Sequence, residues 1–407
     1  MPSNGFPRSF PINDPRVANR VSAFPESVIR EMSRVAATDG ALNLAQGFPD
    51  FEPPREIIDA AKRALDGGFN QYAVTWGAPR LRQAIAAKVE AKNKIPCKET
   101  ENVVVTCGAT EAMMASLLAI INPGDEVIIP EPFYENFGPD AVVAGASPRF
   151  VPLIAPDFRV DEEALKNAFN KKTKAIIINT PGNPTGRVLP TNQIKLIADL
   201  CKDHDVVCVT DEIYEEIVYD GVKHLSPASL PGMSERTISI FGFSKTYSVT
   251  GWRLGYTIAP KTLTDAIKRV HDFLTVGAPA PLQEAAVTAL GLPAAYYDKL
   301  RAEYTERRNI LVTTLNDVGF KCGKPNAAYY ILADFSELSK ADDQTFARTL
   351  SRDIKVAPVP GSSFFADPKR GSTLVRFAFP KKLETLQEAA RRLQKLKGIS
   401  VAAQPAA

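Results

Sequence analysis

Ile176-Ile177-Ile178-Asn179-Thr180-Pro181-Gly182-Asn183-Pro184-Thr185-Gly186 opens with three β-branched apolar residues and closes in a loop rich in proline and glycine. A continuous apolar run, unlike an alternating one, predicts a strand buried on both faces, the condition found inside a largely parallel sheet. Pro181, Gly182, Pro184 and Gly186 hold the loop to a rigid course. Such rigidity serves either an elaborate turn or a mount that aims the Asn183 amide. The stretch alone leaves both open.

The same texture recurs outward from it. Val103-Val104-Val105, Val127-Ile128-Ile129, Val206-Val207-Cys208-Val209, Ile238-Ser239-Ile240 and Tyr256-Thr257-Ile258 are further short apolar runs. Helical patterns lie between them. One starts near Thr191 and carries Ile194, Ile197, Ala198 and Cys201 at helical spacing. Strand and helix in alternation predict a doubly wound α/β domain over about 51–290. Two amphipathic helices precede the first run, one with Ile57, Ile58, Ala61 and Leu65 before Gly67-Gly68, the other after Pro79 with Leu81, Ile85 and Val89. Beyond 290 a charged helical stretch (Tyr297 to Val318) leads to a strand near Ala328-Tyr329-Tyr330-Ile331-Leu332. A helical region (Pro358 to Phe365), a strand (Leu374 to Phe379) and a basic helix ending near Lys397 follow. This mix predicts a second, smaller α+β domain. The first twenty residues, with prolines at 2, 7, 11 and 15, read as a loose arm, and Val401 to Ala407 as a disordered tail.

Composition narrows the function. The 407 residues carry 49 Lys plus Arg against 46 Asp plus Glu, a formal charge of +3. That balance excludes a protein built to grip nucleic acid or an anionic membrane. No apolar stretch approaches the ~20 residues of a spanning helix, and Met1 to Pro15 has no apolar core of a secretory signal. Cys97, Cys107, Cys201, Cys208 and Cys322 form no Cys-x-x-Cys pair. They read as reduced thiols in a cytoplasmic protein, not a disulfide framework or a metal site. With only His204, His224 and His271 present, His-dependent hydrolysis is disfavoured. A large cytoplasmic enzyme is expected.

Ligands of open parallel sheets bind outside the carboxyl ends of the strands, and four strand ends here are unusual together. Thr106-Cys107-Gly108-Ala109-Thr110-Glu111 starts a helix with small residues, leaving backbone N–H groups open to an anion; its bland reading is a βα turn capped by Thr110. Neither a Gly-x-Gly-x-x-Gly fingerprint nor a P-loop is present, which disfavours NAD and ATP. The second end is the Asn183 loop. The third, Asp211-Glu212-Ile213-Tyr214, is a helix cap or the partner of a cation such as a protonated ring nitrogen. The fourth is Phe241-Gly242-Phe243-Ser244-Lys245-Thr246-Tyr247, with Gly251-Trp252-Arg253 after it. A lone lysine usually reads as a solvated surface charge; at the end of an apolar strand among small and aromatic residues, desolvation would lower its pKa and let the neutral amine attack a carbonyl. A phosphate cradle, an aimed amide, a carboxylate and an activated lysine are the set that pyridoxal 5'-phosphate (PLP) requires.

These residues, with Asn43-Leu44-Ala45-Gln46-Gly47-Phe48-Pro49-Asp50-Phe51 and Gln71-Tyr72, make the chain similar to the class I aminotransferases of PLP fold type I, the aspartate aminotransferase-like fold, from about Asn43 to Phe379. The Gln46 to Phe51 segment most resembles the branch of kynurenine, glutamine and methionine aminotransferases. The resemblance implies an arm and part of the small domain in 1–50, a large PLP-binding domain in 51–290 and a C-terminal small domain in 291–407. It implies that Lys245 holds PLP and moves the substrate's α-proton, and that Asp211 keeps the ring nitrogen protonated. Asn183 and Tyr214 would bond the phenolic oxygen, and Tyr134 would stack on the ring. Ala109, Thr110, Ser244 and Arg253 would hold the phosphate, with Tyr72 reaching it from the other subunit of a homodimer. Arg376 would grip the substrate carboxylate while the Gly47 backbone closes over it. Without the resemblance, Arg376 reads as a strand-edge charge and Tyr134 as a core aromatic. The implied activity is ping-pong transfer of an amino group from an L-amino acid to a 2-oxo acid. The alternative on the same cofactor is β-elimination of cysteine conjugates. A PLP-binding transcription regulator is disfavoured by the forty residues before Asn43, too few for a DNA-binding module.

Three positions depart from the family pattern. Gly242 stands where some relatives have Ser; Val276-Gly277-Ala278-Pro279 lacks the His of kynurenine-type enzymes; and Asn326-Ala327-Ala328 replaces a commoner Gly-Ala pair.

Overall fold

The computed structural model describes residue 14 and residues 16–397. Of the expected arm, the described part includes a 3-10 turn beginning at Asn19; the rest of the arm and the tail Val401 to Ala407 lie outside the described residues. In chain order the strands are β1 (Leu42–Asn43), β2 (Val103–Thr106), β3 (Glu126–Glu131), β4 (Ser147–Ile154), β5 (Arg159–Val160), β6 (Thr173–Asn179), β7 (Val207–Asp211), β8 (Thr237–Gly242), β9 (Gly255–Ile258), β10 (Tyr330–Asp334), β11 (Val356–Ala357), β12 (Val359–Pro360) and β13 (Leu374–Ala378).

One eight-stranded sheet has the order β2-β9-β8-β7-β6-β3-β4-β5. The central neighbours β8, β7, β6, β3 and β4 pair in parallel. Strand β9 runs antiparallel to both β2 and β8, and β5 antiparallel to β4. The apolar run at Tyr256 to Ile258 therefore turned back against the sheet direction. The chain reaches it from β8 through the segment 243–254, which holds only the 3-10 turn Thr250–Trp252 and no crossover helix. All six expected runs are strands. Strand β4 was missed because Pro148, Arg149 and Pro152 interrupt its apolar pattern, as an outer strand tolerates.

Helices cover both faces. Arg55–Asp66 and Pro79–Lys88 pack with Ala280–Leu290 beside β2 and β9, and Ala109–Ile120 lies against Lys261–Leu274. Fully buried Val103, Val105, Leu81, Ile85 and Ala285 fill the first interface, and Val127, Ile129, Val209 and Ile240 the second.

The C-terminal part has its own antiparallel sheet, β10-β13-β12, backed by the long helix Ala294–Asp317 and by Leu383–Leu393. Strand β1 joins it by pairing in parallel with β11. The expected helical region Pro358 to Phe365 is mostly not helical. Its first residues form β12, and only Gly361–Phe364 makes a 3-10 turn. Pro358 and Pro360 lack the N–H groups that a helix requires. A helix at Asp343–Thr349, capped by the Asp342 carboxylate, was not anticipated.

Candidate active site

Strands β6, β7 and β8 end in register, Asn179 beside Asp211 and Asp211 beside Ile240, so the three loops that follow them open on one cavity of about 400 Å³. Lys245 and Asp211 both line it, as do Arg376 and Tyr330 from the small sheet. The site therefore lies where the two sheets meet.

At one end is an anion cradle. The helix Ala109–Ile120 begins after Gly108, whose φ of 84° only glycine takes without strain. Thr110 lies in the first turn of the helix instead of capping it. A Cβ on Gly108 would stand 2.7 Å from Arg253 Nη2, and one on Gly255 would stand 2.7 Å from the Ala109 nitrogen. The lack of a Cβ at both positions lets Arg253 and the start of the helix pack closely, which brings first-turn amides and a guanidinium together. Thr110, Ser244 and Arg253 line the same space. Below it, Glu111 accepts from the Cys107 N–H at 2.5 Å and faces His271 Nδ1 at 2.6 Å, while His271 Nε2 faces the Thr75 carbonyl at 2.8 Å.

In the middle, Lys245 Nζ donates to the Gly47 carbonyl at 3.3 Å. Burial, with Arg253 and Arg376 nearby, lowers its pKa to about 8 against the opposing pull of Asp211. Asp211, 8% exposed, accepts from the Ile213 N–H at 3.2 Å. Burial raises it to about 7, partly offset by that hydrogen bond and by Lys245. The Tyr214 hydroxyl meets that of Tyr330 at 2.9 Å, and burial raises its pKa. Tyr134 forms a wall, edge-on to Phe137 with centroids 5.7 Å apart.

At the other end, Arg376 is 0% exposed and lies over the Tyr330 ring at 4.3 Å. Its Nη1 donates to Asn183 Oδ1 at 2.7 Å and its Nη2 to the Ala45 carbonyl at 2.6 Å, while its Nε is buried without a partner. Among the described residues no carboxylate pairs with it. The Asn183 backbone N–H is fixed on Asn179 Oδ1 at 2.7 Å. The rigid loop is braced from beneath: Gly186, at φ +64°, accepts from the Asn326 and Ala327 N–H groups, and Asn326 Oδ1 holds the Val188 N–H at 2.9 Å. That packing gives Asn326-Ala327-Ala328 its use here. At Gly242 a Cβ would press on Ile213 Cδ1 at 3.0 Å.

This architecture is shared with known proteins. The family model described as aminotransferase class I and II matches residues 39–393. The chain belongs to that family. This aminotransferase is 38% identical to the Mycobacterium tuberculosis protein named probable N-succinyldiaminopimelate aminotransferase DapC, over 93% of this chain and 98% of that one. The solved structure of the M. tuberculosis N-succinyldiaminopimelate aminotransferase superposes with a TM-score of 0.90 at 38% identity, covering 93% of this chain and 100% of that one. Human kynurenine–oxoglutarate transaminase 3 is 35% identical over 91% of this chain and 88% of its own. Thermus thermophilus aspartate aminotransferase gives a TM-score of 0.87 at 32% identity, covering 93% and 99%. The α/β fold of the PLP fold type I, aspartate aminotransferase-like class is thus established, and the chain is a transaminase.

Of the residues singled out in the sequence, Gly47, Ala109, Thr110, Tyr134, Asn183, Asp211, Tyr214, Ser244, Lys245, Arg253 and Arg376 of the aminotransferase all line the one cavity. Tyr72 does not; it is 87% exposed. Sequence reasoning missed Tyr330, whose hydroxyl would lie 2.2 Å from a Cβ on Gly47, and the acidic pair Glu135 and Asp140. Asn179, which ends the decisive strand, carried a readable signal as a polar side chain at a buried strand's carboxyl end. No helix among the described residues is long and apolar enough to cross a membrane.

Proposed function

We propose that the chain catalyses reversible, ping-pong transfer of an amino group from an L-amino acid to a 2-oxo acid, with PLP held by Lys245. The observation that carries this is that one cavity brings together the buried amine of Lys245, the buried Asp211 carboxyl and a buried Arg376 with no carboxylate partner among the described residues. PLP fits the residues present. The first-turn amides and Arg253, brought together at Gly108 and Gly255, match a phosphate, Asp211 matches a pyridinium nitrogen, and the amine matches an aldehyde. When bound, PLP contributes an electrophilic aldehyde and an electron-accepting ring.

The protein's part follows from its own groups. Amides at the start of Ala109–Ile120, the hydroxyls of Thr110 and Ser244, and the Arg253 guanidinium bind the phosphate. Asp211, raised to about 7 when it faces only protein, becomes a carboxylate opposite a cationic ring nitrogen and keeps that nitrogen protonated. Tyr134 packs on the ring. Tyr214 and the Asn183 side-chain NH2, which makes no hydrogen bond among the described residues, orient the phenolic oxygen. Arg376 has five N–H groups and two are engaged; the others receive the substrate α-carboxylate. This fixes the α-carbon beside Lys245 Nζ. With a pKa of about 8, roughly a tenth of that amine is neutral at neutral pH, some hundredfold more than an ordinary lysine offers. The neutral amine takes the proton from the substrate α-carbon and returns it. Gly47 and Tyr330 wall the cavity, with the Gly47 carbonyl held by the Tyr329 hydroxyl at 2.9 Å, and so limit the entry of water.

The same reading makes the enzyme a cytoplasmic homodimer divided into 1–50, 51–290 and 291–407, with Tyr72 serving the partner's phosphate. The exposure of Tyr72 on a segment tied through Thr75 to His271 supports this.

The test is Lys245→Ala reconstituted with PLP. It should lose visible absorbance, covalent label after borohydride and all turnover. Retention of label at another lysine would overturn the assignment.

A further inference from the structure

Two carboxyls stand in the cavity wall with no role in the chemistry above. Asp140 is 7% exposed, its Oδ2 is buried without a partner, and its side chain makes no hydrogen bond or ion pair among the described residues. A buried carboxyl left in that state costs stability, and no described residue offsets it with a hydrogen bond or ion pair. Glu135 is the second. It accepts from Ser27 Oγ and from the Ile29 N–H at 3.5 Å, and it feels both Arg30 and Arg376. Burial raises both acids, Asp140 to about 8.

Their place is informative. Glu135 and Asp140 line the main cavity together with Arg376 and Lys245. They also line an adjoining cavity of about 240 Å³, with Ser27, Arg30 and Asn136 common to both. The two carboxyls therefore mark the junction between the cavities. Beyond it the walls include Phe24, Phe133 and Phe365. A substrate pinned by its carboxylate at Arg376, with its α-carbon at Lys245, has its side chain as the free part to reach this neck. Arg30, which lines both cavities, is exposed and screened by water, so the buried ionisable groups at the neck are the two acids.

We propose that Glu135 and Asp140 form the specificity end of the site and select a donor amino acid whose side chain ends in a cationic nitrogen, an amine or guanidinium. This rests on the amino-transfer reading and refines it. A cation at the neck favours the ionised form of both acids, gives Asp140 its missing partner and is shared by Glu135; a carboxylate side chain finds no counter-charge there.

The experiment is the donor half-reaction of the PLP-loaded enzyme, followed by absorbance, with L-ornithine, L-lysine and L-arginine against L-norleucine, L-glutamine and L-glutamate. The wild type should favour its best cationic donor over norleucine by ~10–100-fold in kcat/KM, the worth of a charge-assisted contact. Asp140→Leu should reverse that ratio, and Asp140→Asn, close in shape should the first variant fold poorly, should cut it about tenfold. Glu135→Gln should lower it in the same direction. Norleucine, glutamine or glutamate outpacing every cationic donor overturns the inference while leaving amino transfer intact, as does an unchanged ratio in Asp140→Asn. No absorbance change with any donor removes the amino-transfer reading and this inference with it.

Discussion

Replacing Arg376 tests how the substrate is held. The guanidinium is fully buried, gives two of its N–H groups to neutral acceptors, Asn183 Oδ1 and the Ala45 carbonyl, and keeps Nε unpartnered. If the vacant donors receive an α-carboxylate as a fork, Arg376→Gln removes two charge-assisted hydrogen bonds at ~1.5–3 kcal/mol each. That is roughly a hundred- to ten-thousandfold in kcat/KM for an amino acid. The discriminating comparison is the corresponding primary amine, the same molecule without its carboxylate. It should react slowly with the wild type and lose little further with the variant, so the preference for the acid collapses. Thermal unfolding of the apoprotein should move by no more than ~1–3 kcal/mol, because a buried cation without a counter-ion contributes little to the fold. Half-reaction kinetics with the two donors, and calorimetry, read these quantities. An equal loss for acid and amine would show that Arg376 acts by shaping the site, and the carboxylate assignment would be wrong.

Other predictions follow from the same geometry. The rate at which apoprotein gains visible absorbance on mixing with PLP should rise with pH through about 8, because the neutral Lys245 amine predominates only above its lowered pKa. A rise displaced to the ordinary lysine range would refute that environment. Asp140, whose folded pKa is raised to about 8, binds more protons folded than unfolded between the ordinary Asp value and 8. Its contribution is present in acid and lost as pH rises, so Asp140→Asn should raise the melting temperature near pH 8 and leave it unchanged near pH 4. His271→Gln should weaken PLP retention, measured by equilibrium dialysis, since the Glu111–His271–Thr75 chain positions the Cys107 turn under the phosphate. If Tyr72 serves a partner subunit as proposed, the chain should sediment as a dimer and Tyr72→Phe should weaken PLP retention in that dimer alone, which sedimentation with cofactor titration would show.

Much of this molecule was legible in its sequence where one physical demand dominates. Strands buried on both faces cannot hide their composition, so β2, β3, β6, β7, β8 and β9 were readable, while the direction of β9 was not, since burial is indifferent to polarity. Strand β4 has mixed exposure and two prolines, and its signal fell below that of its neighbours. Lys245, Asp211 and Asn183 were readable because each follows an apolar run. Arg376 was readable only through the family, because a charge in a short strand looks the same whether it faces water or a pocket. Glu135, Asp140 and Tyr330 reach the cavity through tertiary packing of segments far apart in the chain, which no local pattern encodes.

The pairing of β1 with β11 has a consequence for biosynthesis. Leu42 finds Val356, and the Leu44 carbonyl finds the Ala378 N–H, so the roof carried by Gly47 cannot seat until roughly 300 further residues have been translated, ~15–60 s at ordinary elongation rates. The floor, from Ala109 to Arg253, emerges well before that. On the proposed reading, in which Lys245 holds PLP, a nascent chain would present that lysine to the cofactor while its mouth is still unroofed, and late emergence of the last hundred residues would seal the loaded site.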